Sequence, residues 1–406
     1  MGGVDTRRSR LSSQVLSAAA LLASMFLGAC SGSTGSGGPS PGTTSQAGSD
    51  INNQLASVTC ASTSHCIAVG YAGQEFSGAK TLIEETSGGV WSVVPSPNPN
   101  PSMSSELADI ACPQPTQCIA VGRYLVDASL DKTLIEQNNG SGWTIVPSPN
   151  PTDFNSGYLL GVTCAGAGYC VAVGAYETSS GASQALIEES TGGGWTIVPS
   201  PNSNGGDNSL SRVACISAGR CFAVGSIGVS AALIEEKTGG AWKIVPVASA
   251  GPLSDVSCAS PTYCLAVGFS GSILTGGHPL IVENAGSGWS VTSASNADGT
   301  LSGAVCPSVT NCIAVGNLPG GDTLVEQKTG NFWTLLPRLT ISSSDTYGLT
   351  LNRIACASAD LCLIVGAQFI GATSIGGSIG KTLIVENTGG GWASISSPNV
   401  TAGISG

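Results

Sequence analysis

One cysteine-and-tryptophan pattern recurs seven times after residue 50, each copy holds four short apolar segments bounded by turn-forming residues, and no stretch sustains a helical period. These observations predict an all-β chain folded as a seven-bladed β-propeller, each blade a four-stranded antiparallel sheet. The composition agrees. The 406 residues include 57 Gly, 15 Cys and 7 Trp, and only 10% are charged, well under the roughly 25% of an ordinary soluble domain. A hydrophobic fraction of 41% supplies a large core and excludes disorder driven by charge. A net charge of −11, with few basic clusters, argues against a nucleic-acid partner.

The expected organisation is a leader over 1–29, Cys30 with a tether over 30–50, and the propeller over 51–406. Its blades fall near 51–100, 101–152, 153–204, 205–250, 251–297, 298–346 and 347–400. Arg7, Arg8 and Arg10 give the leader a basic start, and Val15 to Phe26 is too short an apolar run to span a membrane. Leu27-Gly28-Ala29-Cys30 resembles the lipobox of bacterial lipoproteins. That resemblance implies export, diacylglycerol on the Cys30 sulfur, cleavage before Cys30 and acylation of the new amino group. The small Gly28 and Ala29 suit a peptidase pocket, and Cys30 supplies the nucleophile. Cys30 is also the odd cysteine, the other fourteen falling into seven pairs. Thr6-Arg7-Arg8-Ser9-Arg10-Leu11 is similar to a twin-arginine signal with Arg10 where an aromatic is usual, so either export route stays open. Residues 31–49 are almost all Ser, Gly, Thr and Pro, a flexible tether spanning roughly 25 Å on average. The expected location is the extracytoplasmic face of the cell membrane, with the membrane as partner through the lipid anchor alone.

Within each repeat the elements follow a fixed order. A Leu stands five residues before a Cys, five spacers lead to a second Cys, and Ile-Ala-Val-Gly or a near variant follows. A variable stretch, Leu-Ile-Glu, a Gly-rich turn and a Trp complete the unit. In the first copy the predicted strands are Leu55 to Cys60, Cys66 to Gly70, Thr81 to Glu85 and Trp91 to Pro95. First cysteines are separated by 52, 52, 51, 43, 48 and 50 residues, the spacing of propeller blades. A meander of this size cannot bury both faces alone, so the copies must stack; radial closure is favoured over an open solenoid because distinct capping repeats are missing. Val94-Pro95-Ser96-Pro97-Asn98, echoed by Pro147/Pro149 and Pro199/Pro201, ends strand four with prolines that suit an unpaired edge. Strand four is therefore expected outermost and strand one against the axis. The turn Glu85-Thr86-Ser87-Gly88-Gly89-Val90-Trp91 resembles a degenerate Asp-box of sialidase-type propellers, without the motif's Ser and Asp, and implies the fold only.

The paired cysteines are Cys60/Cys66, Cys112/Cys118, Cys164/Cys170, Cys215/Cys221, Cys258/Cys264, Cys306/Cys312 and Cys356/Cys362. Each pair flanks the loop joining strands one and two, so its members face each other across a hairpin; in an exported protein that geometry favours a disulfide. Each small loop is worth about 2.4 kcal/mol on a chain-entropy argument. Zinc fits poorly, because the spacers are longer than those of zinc pairs and the chain has only His65 and His278 to complete a site. No metal and no cofactor are expected. Trp91, Trp143, Trp195, Trp242, Trp289, Trp333 and Trp392 are expected to bury their rings between blades while the indole N–H seeks a partner, a carbohydrate-stacking platform being the functional alternative. Seven residues before each Trp stand Glu84, Glu136, Glu188, Glu235, Val282, Glu326 and Val385, read as solvated strand ends in preference to a metal ring. Six before it stand Glu85, Gln137, Glu189, Glu236, Glu283, Gln327 and Glu386.

In such a meander the one-to-two and three-to-four turns share one face, and the two-to-three loops share the other with the blade crossings. The repeated Cys hairpins and Gly turns decorate the first face and sequence variation gathers on the second, where binding is expected. Candidates are Tyr71, Glu75 and Phe76; Arg123, Tyr124, Asp127 and Asp131; Tyr176 and Glu177; Phe269 and His278; and Phe369. The crossings add Asp153, Phe154, Tyr158, Asp207, Asn208, Arg338 and Tyr347. A channel-mouth site is a further candidate. Three residues before each first Cys stand Ser57, Asp109, Gly161, Arg212, Asp255, Gly303 and Arg353, whose two Asp and two Arg would approach the axis, with neutral pairing as the alternative.

Two function classes follow. One is a non-catalytic surface module presenting a propeller face to a glycan, a cell-wall polymer or another exported protein. The other is a secreted glycoside hydrolase or lyase on the same scaffold. Sialidase chemistry wants clustered arginines, whereas Arg123, Arg212, Arg220, Arg338 and Arg353 fall at different places in the repeat. No serine-hydrolase, metalloprotease, P-loop or dinucleotide fingerprint stands in a suitable context. The binding class is preferred, and a monomer is expected. The whole chain resembles predicted exported repeat proteins of actinobacteria with Cys-x5-Cys-x-Ala-Val-Gly and Leu-Ile-Glu…Trp units, which implies the fold and leaves activity open.

Overall fold

The computed structural model describes residues 51–400 except 75–76, 128, 204–205, 248–250, 273–275, 293, 295–296, 340, 342–345 and 373–377. The leader, Cys30 and the tether expected over 1–50 lie outside the described residues, as do Glu75 and Phe76. The described residues form seven four-stranded antiparallel sheets and no helix. In the first blade β1 (Asn53–Ser62), β2 (His65–Gln74), β3 (Ser77–Ser87) and β4 (Val90–Val94) pair in chain order. Every later blade repeats that order, ending with β25 (Gly348–Cys356), β26 (Cys362–Ala372), β27 (Ser378–Asn387) and β28 (Trp392–Ile395).

First strands pack against first strands from blade to blade, β1 meeting both β5 (Ser104–Gln114) and β25, so they line the axis. Fourth strands pair only with third strands and lie outermost. One apolar cluster fills each of the seven seams. The ring closes where Leu55, Val58 and Trp91 of the first blade pack with Leu363, Val365 and Ile384 of the last. Asn53 fastens the segment that follows β28 there: its side chain donates to Val400 O at 3.2 Å and accepts from Val400 N at 3.0 Å.

Leu55 and Val58 enter the same core although they are three residues apart, which side-chain alternation along a regular strand forbids. A β-bulge resolves the conflict. Register slips between Leu55 and Ser57, and likewise at Leu107/Asp109, Leu210/Arg212, Leu253/Asp255, Leu301/Gly303 and Leu351/Arg353. In the third blade Leu159 and Gly161 pair with the consecutive residues Gly174 and Val173, leaving Leu160 over. The glycine of each Ile-Ala-Val-Gly segment faces this bulge: a Cβ on Gly70 would collide with the Gln54 carbonyl oxygen, and one on Gly225 with that of Ser209. Close approach of two backbones, with no turn involved, makes this glycine obligatory in all seven blades.

All seven cysteine pairs are disulfides across the first hairpin of a blade, with Cα atoms 4.0–4.1 Å apart. The second cysteine of every pair is buried: Cys66, Cys118, Cys170, Cys221, Cys264, Cys312 and Cys362 are each 0–4% exposed. Each belongs to the apolar cluster of a different seam. The reason is the position of the second strand, which is flanked by the first and third and points alternate side chains into the seam. Cys118, Cys170, Cys221 and Cys312 are therefore core residues that fasten a hairpin and present no sulfur to a ligand; of the first cysteines, Cys306 is buried as well and the others are half-buried.

The glycine turn of the third and fourth strands lies beside that hairpin, Gly239 N donating to Gly219 O at 3.0 Å and Gly330 N to Thr310 O at 2.9 Å. On the opposite face the two-to-three loops meet the blade crossings, as where Gly78 N donates to Met103 O at 2.8 Å.

Candidate functional site

The bulge turns one residue of each innermost strand toward the axis, and around the ring these twice read Asp, Gly, Arg. Asp109 accepts from Ser57 Oγ at 2.6 Å and Val162 N at 2.8 Å, while Arg212 Nε stands 3.8 Å from its second oxygen. Asp255 accepts from Ala304 N and Val256 N, each at 2.7 Å, and pairs with Arg353. The intervening glycines make room for the arginines. A Cβ on Gly161 would lie 2.8 Å from Arg212 Cα, and one on Gly303 would lie 3.0 Å from Arg353 Cα. Arg212 also reaches across to the carbonyls of Leu160 and Ala108. Asp109 and Asp255 are 2% and 0% exposed. Burial pushes the Asp255 carboxyl up, against the pull of Arg353 and Arg212, and draws the Arg212 guanidinium down, against Asp109. The four axial charges thus neutralise one another inside the ring, the paired alternative to an open channel mouth.

A second buried ring lies farther out. Glu84, Glu136, Glu188 and Glu235, expected as solvated strand ends, are instead 0% exposed. The proline segment of the preceding blade covers each one and supplies a hydroxyl: Ser397 to Glu84 at 2.7 Å, Ser96 to Glu136 at 2.9 Å, Ser148 to Glu188 at 3.0 Å and Ser200 to Glu235 at 2.8 Å. Burial pushes these carboxyls up to about 7, 8, 8 and 7 respectively, with the serine hydroxyls pulling the other way. Where Val247 replaces the serine, Val282 replaces the glutamate, and the two pack in one apolar cluster. These residues latch one blade to the next. Among the described residues no group of three or more His, Cys, Asp or Glu is arranged to hold a metal ion.

The tryptophans occupy the seams on the hairpin side. Trp91, Trp143, Trp242 and Trp289 are buried, which leaves those four rings unavailable as an open stacking platform. At the seam of the third and fourth blades Trp242 Nε1 donates to Glu189 at 2.9 Å, Lys237 Nζ donates to the same carboxylate at 2.6 Å, and Lys237 also donates to Tyr169 OH at 2.8 Å. Trp333, Glu283, Lys328 and Tyr263 repeat the arrangement between the fifth and sixth blades, at 3.0, 2.8 and 2.6 Å. Burial draws both lysines down, but the hydrogen bonds to carboxylate and phenol carry them above the ordinary lysine value. Sequence reasoning missed these lysines and tyrosines, because each quartet is split between neighbouring blades and occurs at only two seams.

On the variable face, Tyr71 and Phe269 are each 6% exposed, and Tyr71 OH bonds Gln54 and Asn52, both at 3.1 Å. Tyr124 and Tyr176 are half-buried against the cores of the first two seams. Arg123 pairs with Glu106 and stands 3.6 Å from Asp131, so Arg123, Tyr124 and Asp131 do come together on one blade. Three candidate aspartates staple loops: Asp127 to Ser129 N at 2.9 Å, Asp153 to Ser179 N at 3.0 Å and Asp207 to Ser183 N at 2.9 Å. Asn208 is buried, whereas Glu177, Phe154, Tyr158 and Phe369 are partly exposed. His278 lies exposed 3.3 Å from Asp298, Arg338 pairs with Asp322, and Tyr347 is exposed.

Solved structures similar to this chain include the BP39L lectin from Burkholderia pseudomallei, with TM-score 0.57 and 11% identity over 86% of this chain and 99% of the lectin. YCF48 bound to D1 peptide gives 0.50 and 12% over 83% of this chain and 94% of its own. The Trypanosoma rangeli sialidase gives 0.45 and 10% over 82% of this chain and 53% of the enzyme. The likeness is one of fold. No family model matches the chain, and no curated protein matches it in sequence.

Proposed function

We propose that the chain is exported, anchored through lipid on Cys30, and acts on the extracytoplasmic face as a non-catalytic binding module for a glycan, cell-wall polymer or protein. The observation that carries the binding reading is the internal use of its reactive groups: the axial Asp and Arg pair with each other, and the near-neutral glutamates sit behind serine latches. A general acid or base must reach a substrate proton, and a carboxyl with no exposure cannot. The variable-loop face offers groups for recognition, with Arg123, Tyr124 and Asp131 on one blade and Tyr176 on the next. Two proteins of similar fold support such a role, one a lectin and one solved with a bound peptide. The flexible segment after Cys30 would hold the propeller clear of the headgroups.

The soluble domain from Asp50 onward, applied to glycan and exported-protein arrays, tests this reading. Retention of one ligand class, lost in Arg123→Ala with Tyr124→Ala, is expected; turnover of a generic glycoside panel would replace it with the hydrolase reading. Detergent phase partitioning tests the anchor separately, Cys30→Ser being expected to move the chain to the aqueous phase.

A further inference from the structure

The residue six before each Trp obeys a charge rule. Glu85 faces His65 Nε2 at 2.5 Å, Glu189 faces Lys237 at 2.6 Å, Glu236 faces Arg220 at 3.5 Å and Glu283 faces Lys328 at 2.8 Å. Where neither flanking position supplies a base, the residue is neutral: Gln137 with Gln117 and Ser190, Gln327 with Asn311 and Asn387. Glu386 breaks the rule. Leu361 stands where the filled seams carry Tyr169 and Tyr263, and Thr86 stands where they carry Lys237 and Lys328. No ion pair or side-chain hydrogen bond reaches the Glu386 carboxylate from the described residues.

Shortening both residues leaves a hole. Between the last and first blades lies a cavity of about 270 Å³ lined by Glu386, Trp91, Thr86, Ser64, Leu361 and Leu363. Its walls reproduce the filled seams without the lysine and the tyrosine: a carboxylate, an indole that is the counterpart of Trp242, and an apolar floor.

We propose that this cavity is a binding site for a primary alkylammonium group, the lysine side chain being its prototype. The ammonium sits on Glu386 as Lys237 sits on Glu189, and the alkyl arm lies along Trp91 and the two leucines. The acidic protein, with a net charge of −11, favours approach of such a group. The site opens on the hairpin side, opposite the variable loops, so it stands or falls apart from the ligand proposed for that face.

Calorimetric titration of the full chain with Nα-acetyl-lysine methylamide, set against the uncharged Nα-acetyl-norleucine methylamide, tests the site. The lysine derivative is expected to bind and the norleucine derivative not, and Glu386→Gln is expected to weaken binding by about tenfold or more. Thr86→Lys installs the missing internal cation and is expected to abolish binding while raising the melting temperature, which shows that the variant is folded. Equal binding of norleucine, unchanged affinity in Glu386→Gln, or no heat with the folded native chain would overturn the proposal.

Discussion

The axis and the seam between the last and first blades carry charges produced by the same repeat, yet in opposite circumstances. At the axis Asp109 and Asp255 each meet an arginine two blades on, with the glycine of the intervening blade leaving space for it. At the closing seam Glu386 meets Leu361 and Thr86 and faces an open cavity. A carboxylate of the repeat is therefore paired inside the ring or left facing a cavity according to what the other copies supply around it. Accessibility and pairing separate the two, since burying an unpaired charge costs far more than leaving one beside water.

The largest loss of stability is expected from unbalancing the axis. Asp255→Ala leaves Arg353 buried without its carboxylate and is expected to cost about 3–5 kcal/mol in urea denaturation. Replacing both, Asp255→Leu with Arg353→Met, is expected to recover most of that loss; a double variant as unstable as the single one would mean that the pair does more than neutralise itself. Opening one hairpin disulfide with Cys258→Ser and Cys264→Ser is expected to cost about 2 kcal/mol by the same assay, and no change would show the bulge and blade core to be sufficient there.

The latch glutamates predict a pH dependence. Their folded values of about 7–8 lie above the ordinary 4.5, so between those values the folded chain holds protons that the unfolded chain has released. Their contribution is fully present below 4.5 and is lost as pH rises through 7–8, so the melting temperature should fall by about 5 °C or more between pH 5 and pH 8. Glu188→Gln should flatten part of that slope. A melting temperature that rises over this interval would place the glutamates in water.

The fold was legible because every repeat carries the same landmarks: a leucine five residues before a cysteine, an Ala-Val-Gly segment and a tryptophan. The disulfide pairing was legible from the same spacing, but the burial of Cys118, Cys170, Cys221 and Cys312 was not, since it comes from the neighbouring blade that closes over each one. The physical reason for the glycine was hidden too, because it depends on a bulge in the neighbouring strand that only pairing register reveals. The latch was half legible. Ser96, Ser148, Ser200 and Ser397 precede blades with Glu136, Glu188, Glu235 and Glu84, and Val247 precedes Val282, but Ala294 precedes Glu326, so the pairing shows in only part of the ring and only when each blade is compared with the next one. The axial residues were found by position, but that each aspartate pairs with an arginine two blades on follows from ring closure rather than spacing. At the seams, the partner of Glu189 lies 48 residues later, on a strand that no local pattern connects to it.

The most direct test of the contrast between paired and open carboxylates is a matched pair of substitutions at equivalent positions, followed by denaturant unfolding. Glu189→Gln should lose about 1–2 kcal/mol, because Lys237 and Trp242 lose a charged acceptor, whereas Glu386→Gln should stay within about 0.5 kcal/mol of the native chain. Equal losses at the two sites would contradict the account, since they would show that the closing seam already satisfies Glu386 from within.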